Sequence, residues 1–250
     1  MSHNLTELKE TGLTIFQDQF SLSDLTTVNN IASEIQPHVG LTAGGDWYNG
    51  WRMHEESETK DMLNDVNWAY HWCLTPEENP FIKDKLLPTL ASVCDQAFEG
   101  RKWDWHKTNC YIMTNNRHDF GASPHFDAPY LWPQKPHIQM AKYLDEGPLS
   151  ITFMVPLIDF TVENGATGYV TNTHKHIWDT EDWTETKQYM RKFFNDNYIQ
   201  PEVPLGDFAC FYGNVLHAIM RNNTDIPRRG IIYRAIRQDA LDEMAKHELG

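Results

Sequence analysis

The apolar positions of this chain change rhythm part-way along. Through the first hundred residues they recur at three- and four-residue steps, and beyond about residue 107 they gather into short runs rich in β-branched and aromatic side chains. "SLSDLTTVNNIASEIQ" puts Leu25, Val28, Ile31 or Ala32, and Ile35 on one face, with Ser21 or Ser23 ahead of them to cap the first turn; it predicts an amphipathic helix. "NPFIKDKLLPTLASVCDQAF" repeats Leu87, Leu90, Cys94 and Phe98 and predicts a second helix, with Pro88 as a kink point because proline has no amide proton and crowds the preceding turn. The later runs "KTNCYIMTN", "SITFMVPLIDF", "GYVTNT", "FACFYGNVLHAIM" and "GIIYRAIR" predict strands separated by turns such as "ENG" and "LGD". One more helix, with Trp183, Lys187, Met190 and Phe194 on a face, interrupts them. Helices followed by strands predict an α+β chain: a helix-rich part over about 1–106 and a sandwich or barrel body over about 107–238.

Composition narrows the function. With 250 residues and no Pro/Gly/Ser-rich linker, a single domain over 1–250 is expected. A formal net charge of −14 argues against nucleic acid or an acidic membrane surface, both of which require a basic face, and favours a small-molecule substrate. Cys73, Cys94, Cys110 and Cys210 form no C-x-x-C and read as reduced thiols. The polar start "MSHNLTELKETG" lacks a targeting pattern, and no apolar run approaches the roughly 20 residues of a membrane span, so a cytoplasmic protein is expected.

The candidate chemistry begins at "PHFDAP". On an extended chain His125 and Asp127 share a face and can converge on one ion. Chance supplies such a pair, and His54 with Glu56 is another, in a charged run that reads as a solvated loop or helix end. A third ligand has to come from another strand. His217, in an apolar run followed after eleven residues by Arg228, is the candidate. Two imidazoles and a carboxylate leave three octahedral positions open, as in non-haem Fe(II) oxygenases, and an arginine supplies a fork for a dicarboxylate. Taken singly, His217 also fits a hydrogen-bonded core histidine, and Arg228 with Arg229 a surface pair.

Together, "PHFDAPY", "ENGATGYVTNTHKH" and "GDFACFYGNVLHAIMRNNTDIPRRGII", with the strand-to-helix start "GLTIFQDQFSLSDL", resemble the phytanoyl-CoA dioxygenase-like family of Fe(II)/2-oxoglutarate oxygenases over most of the chain. The resemblance implies a double-stranded β-helix, a jelly roll flanked by helices, and a requirement for Fe(II), 2-oxoglutarate and O2. It implies His125, Asp127 and His217 as iron ligands and Arg228 as the partner of the cosubstrate's distal carboxylate, Arg229 pointing outward. The implied reaction is hydroxylation of a small organic substrate; desaturation, epimerisation or ring closure at the same centre, and a non-catalytic jelly-roll binding protein, are the alternatives. Two departures stand out. The family's usual "PGSH" is "TNTH" at Thr171 to His174, and where relatives place Ser or Thr two residues after the arginine this chain has Gly230, so another hydroxyl, from Tyr111 or Asn109, is expected to help. The stretches 128–148 and 44–57 are candidate lids.

Overall fold

The computed structural model describes residues 2–35, 47–48, 51–53, 70–74, 79–115, 124–127, 147–175 and 183–246. Both predicted N-terminal helices form, and an unpredicted one precedes them. Helix α1 (Ser2–Thr11) buries Leu8 and hands over to strand β1 (Leu13–Phe16) at Gly12. Gly12 has φ +84°, and a Cβ there would lie 2.5 Å from His174 Nδ1, so the turn requires glycine on both counts. Helix α2 (Leu22–Ile35) starts at Ser21, whose Oγ accepts from the Asp24 amide and donates to the Asp24 carboxylate. It buries Leu25, Val28 and Ala32; the two larger side chains contribute about 1.5–3 kcal/mol each.

Pro88 acts on its helix in an unexpected way. Asn79 caps the amides of Phe81 and Ile82, a widened π turn covers Ile82–Leu86, and helix α3 (Leu87–Ala97) follows. A proline at 88 would crowd the carbonyl of residue 84 in a regular α-helix; the wider turn relieves that clash while Ile82, Leu86, Leu90, Cys94 and Phe98 all stay buried.

The strands are β2 (Trp47–Tyr48), β3 (Trp51–Met53), β4 (Tyr70–Leu74), β5 (Trp103–Asn115), β6 (Ser150–Pro156), β7 (Gly168–Val170), β8 (Phe208–Tyr212), β9 (Leu216–Ala218) and β10 (Arg228–Arg237). "FACFYGNVLHAIM" thus yields two strands. Helix α4 (Trp183–Asn197) lies between β7 and β8, burying Met190 and Phe194 as its pattern predicts, and α5 (Gln238–Lys246) follows β10. An antiparallel major sheet runs β1-β8-β6-β10-β5-β4-β3-β2. The N-terminal part therefore contributes strands at both edges as well as helices. The second sheet pairs β7 with β9 and is widened by single bridges from His125 to His217 and from Tyr169 to Ile199. Its inner residues face the major sheet: the Tyr169 and His217 rings lie 5.1 and 4.8 Å from that of Phe211 on β8. Two facing antiparallel sheets with outer helices are the double-stranded β-helix; Phe211 and Tyr169 meet between them, while Phe153 and Phe208 fill the other face of the major sheet against Phe16 and Phe20.

Candidate active site

His125 and His217 are joined by main chain before they are joined by chemistry. The His125 amide donates to the His217 carbonyl at 2.9 Å and the His217 amide returns the bond at 3.1 Å, so two sequence-distant imidazoles project from one antiparallel bridge, ring centroids 4.4 Å apart. Asp127 is fixed two residues on, its amide donating to Gly213 O at 2.7 Å. One nitrogen from each histidine and one Asp127 oxygen all lie within 4.8 Å of one another.

The hydrogen bonds select the tautomer of His217. Its Nδ1 lies 2.9 Å from Val215 O, and a carbonyl only accepts, so Nδ1 carries the proton and the lone pair of Nε2 is left facing Asp127 Oδ1 at 3.7 Å. Burial pushes the imidazole pKa down to about 4, overriding the attraction of Asp127. The ring is neutral at pH 7 and its contact with Asp127 is polar, not ionic.

Asp127 is held on both oxygens. Thr152 Oγ1 donates to Oδ2 at 2.7 Å, the Arg234 guanidinium makes a close ion pair with Oδ1, and Arg234 Nε donates to Thr152 Oγ1 at 3.2 Å. Burial alone would raise the carboxyl's pKa; Arg234 first, then the two histidines and the Thr152 hydroxyl, hold it well below the usual carboxylate range. Sequence reasoning missed Arg234 and Thr152. Strand period places Arg234 on the face of Arg228, but only the register Arg234↔Thr152 between β10 and β6 brings both to Asp127.

Arg228 and Arg229 part company as alternation requires. Arg229 turns outward to α2, donating to Ser33 Oγ at 2.9 Å and Asn29 Oδ1 at 3.4 Å. Arg228 turns inward and is 1% exposed; among the described residues its Nε and both terminal nitrogens have no hydrogen-bond partner. Its guanidinium carbon lies 4.7 Å from the centre of the Phe160 ring. Burial lowers its pKa to about 10, which leaves it cationic at pH 7. A sealed, unpaired guanidinium is costly unless an anion completes it, so the residues present fit a carboxylate ligand, and the N,N,O set fits a divalent transition metal.

Tyr111 and Asn109 both fall on β5, Tyr111 opposite Ile232 of β10; their side chains lie outside the described residues. So do His54, Glu56 and positions 128–146 of the first candidate lid, while the other holds the paired β2 and β3. "TNTH" is structural. The Thr173 hydroxyl donates to Val170 O and accepts from the Leu216 amide one residue before His217, and His174 packs under α1.

The fold and this donor set define a class, the non-haem iron oxygenases built on a double-stranded β-helix. Within it the chain belongs to the phytanoyl-CoA dioxygenase (PhyH) family, whose sequence model matches residues 8–230 and whose members are oxidoreductases that use Fe(II), 2-oxoglutarate and O2. It is 23% identical over 228 residues to the dioxygenase olcK of Penicillium canescens, covering 90% of this chain and 66% of that relative's length. Among solved structures, the non-haem alpha-ketoglutarate-dependent carbocyclase SnoK from nogalamycin biosynthesis aligns at a TM-score of 0.65 with 14% identity, over 95% of this chain and 84% of that one. The epimerase SnoN in complex with Fe3+, alpha-ketoglutarate and nogalamycin RO aligns at 0.59 with 14% identity, over 94% and 83%. Among the described residues, no helix is long and apolar enough to cross a membrane.

Proposed function

We propose that the chain is an Fe(II)- and 2-oxoglutarate-dependent dioxygenase that hydroxylates a small organic substrate with release of succinate and CO2. The convergence of His125, Asp127 and His217 within 4.8 Å carries the reading. The two histidines and Asp127 would hold the iron, and Arg228 would pair with the cosubstrate's distal carboxylate. Bound iron would activate O2, the oxidant, whose four-electron reduction takes two electrons from 2-oxoglutarate as it loses CO2 to give succinate and two from the substrate. The protein fixes the His217 tautomer through Val215 O, keeps Asp127 ionised through Arg234 and Thr152, and buries both carboxylate-binding arginines away from water.

Fe(II)-stimulated succinate formation, screened against a metabolite library, tests the proposal. Succinate that appears only with Fe(II) and rises with one substrate class is expected; none under any condition leaves the non-catalytic jelly-roll binding protein. Desaturation, epimerisation or ring closure is the second reading, favoured by the carbocyclase and epimerase among the structural neighbours. The product's mass separates them: hydroxylation adds one oxygen atom, desaturation and ring closure remove two hydrogens, and epimerisation changes neither. A cytoplasmic location fits the buried free thiols of Cys94 and Cys210.

A further inference from the structure

Arg234 stands at an irregular point of the major sheet. On the β6 side it is in register with Thr152, whereas on the β5 side the ladder shifts between Tyr233 and Ala235, so Arg234 is the residue that the β5 pairing skips. Its side chain and that of Asp127 are 9% and 8% exposed, and the close ion pair between them is made with Oδ1. Oδ1 is also the oxygen 3.7 Å from His217 Nε2, while Oδ2 accepts from the Thr152 hydroxyl at 2.7 Å. The oxygen turned toward the histidine donor and the oxygen in contact with a buried cation are therefore the same atom. Thr152 Oγ1 tethers that cation, accepting from Arg234 Nε at 3.2 Å.

We propose that Arg234 sets the charge of the metal centre: it shares Asp127 Oδ1 with the metal and cancels the negative charge that this carboxylate contributes. The inference rests on the iron centre of the proposed function. Histidines ligate in their neutral form, so the donor set of His125, Asp127 and His217 brings one negative charge, and Arg234 brings one positive charge in contact with it. The protein's own contribution is then zero, and a divalent ion keeps its full double charge in a buried site where charges act strongly on one another. Two opposite consequences follow. A cation touching a ligand oxygen repels a metal ion and weakens its hold, whereas the same cation strengthens the attraction of the loaded centre for an anionic cosubstrate. Arg234 lowers the one affinity and raises the other.

Calorimetric titrations without oxygen, at about pH 8 where protons compete least for the ligands, measure Fe(II) binding to the metal-free protein and 2-oxoglutarate binding to the Fe(II)-loaded protein. Arg234→Gln and Arg234→Met both remove the charge, the first keeping a hydrogen-bond donor beside Asp127, and thermal melts establish which of them folds. Either is expected to bind Fe(II) about tenfold more tightly and 2-oxoglutarate about tenfold more weakly. Arg234→Lys keeps the charge and is expected to stay within about threefold of the wild type for both ligands. A site that is only loosened loses both affinities together, so the opposed shifts separate a charge-setting role from a structural one. Weaker or unchanged Fe(II) binding by the charge-free variants, or 2-oxoglutarate binding that does not fall, overturns the inference while leaving the iron centre intact. A wild-type protein that takes up no stoichiometric Fe(II) overturns the centre itself.

Discussion

Two buried arginines occupy the same face of one strand, six residues apart, in opposite electrostatic states. Arg234 is ion-paired to Asp127 and bonded to Thr152; Arg228 is more deeply buried and has no hydrogen-bond partner among the described residues. The difference separates what the protein completes for itself from what it leaves for a ligand. At the Asp127 end the charge is balanced within the chain, which keeps a carboxylate ionised in an apolar barrel. At the other end no described side chain balances the charge, which on the proposed function is left for an anionic ligand.

The sharpest break of this contrast comes from the metal end. His125→Ala, Asp127→Ala and His217→Ala are each expected to abolish stoichiometric iron binding and turnover, since two remaining arms hold a ferrous ion poorly; iron content by mass spectrometry checks this, and three variants with wild-type content would end the assignment. Next come the arginines. Arg234→Met leaves Asp127 buried without its countercharge and is expected to cost about 3–5 kcal/mol of stability in the metal-free protein. Arg228→Met removes a charge that has no hydrogen-bond partner among the described residues, so the ligand-free fold is expected to be as stable as the wild type or more so, while protection by 2-oxoglutarate disappears. Denaturant titrations of both variants decide it, and equal destabilisation would erase the distinction. For binding alone, Arg228→Ala is expected to weaken 2-oxoglutarate by about 1.5–3 kcal/mol and Arg229→Ala by far less, because Arg229 serves α2.

A gentler probe is pH. His217 and His174 both have pKa values depressed by burial, so the folded state refuses protons that the unfolded state accepts. Stability of the metal-free protein is therefore present in full above the unfolded histidine pKa of about 6.5 and is lost as pH falls from there toward about 4, where folded His217 also protonates. His217→Gln is expected to flatten that slope in denaturant melts. The smallest effect belongs to the surface: Ser21→Ala removes the α2 cap and is expected to cost about 1 kcal/mol, with iron binding untouched.

What the sequence made legible follows from period. Helical spacing identified the buried faces of α2, α3 and α4, and alternation separated Arg228 from Arg229. What it hid depends on register. Nothing in Thr152 or Arg234 announces a role until β6 is laid beside β10, because period assigns a face but not a neighbour. The strands β2, β3 and β4 escaped for a related reason. They are two, three and five residues long, and β4 is held by its pairing with β5. Helix α1 escaped because Leu5 and Leu8 are the only apolar side chains in a polar segment.

The pairing of β1 with β8 bears on how the chain behaves while it is being made. Leu13 to Phe16 lie against Phe211 to Phe208, and β8 is five consecutive buried residues, four of them Phe, Cys or Tyr. Without β1, that strand would be a bare, apolar sheet edge of the kind that recruits identical strands from other molecules. The guard is synthesised nearly two hundred residues before the strand it covers, so it is already waiting when β8 leaves the ribosome. Deleting residues 1–20 should accordingly appear first as self-association in light scattering.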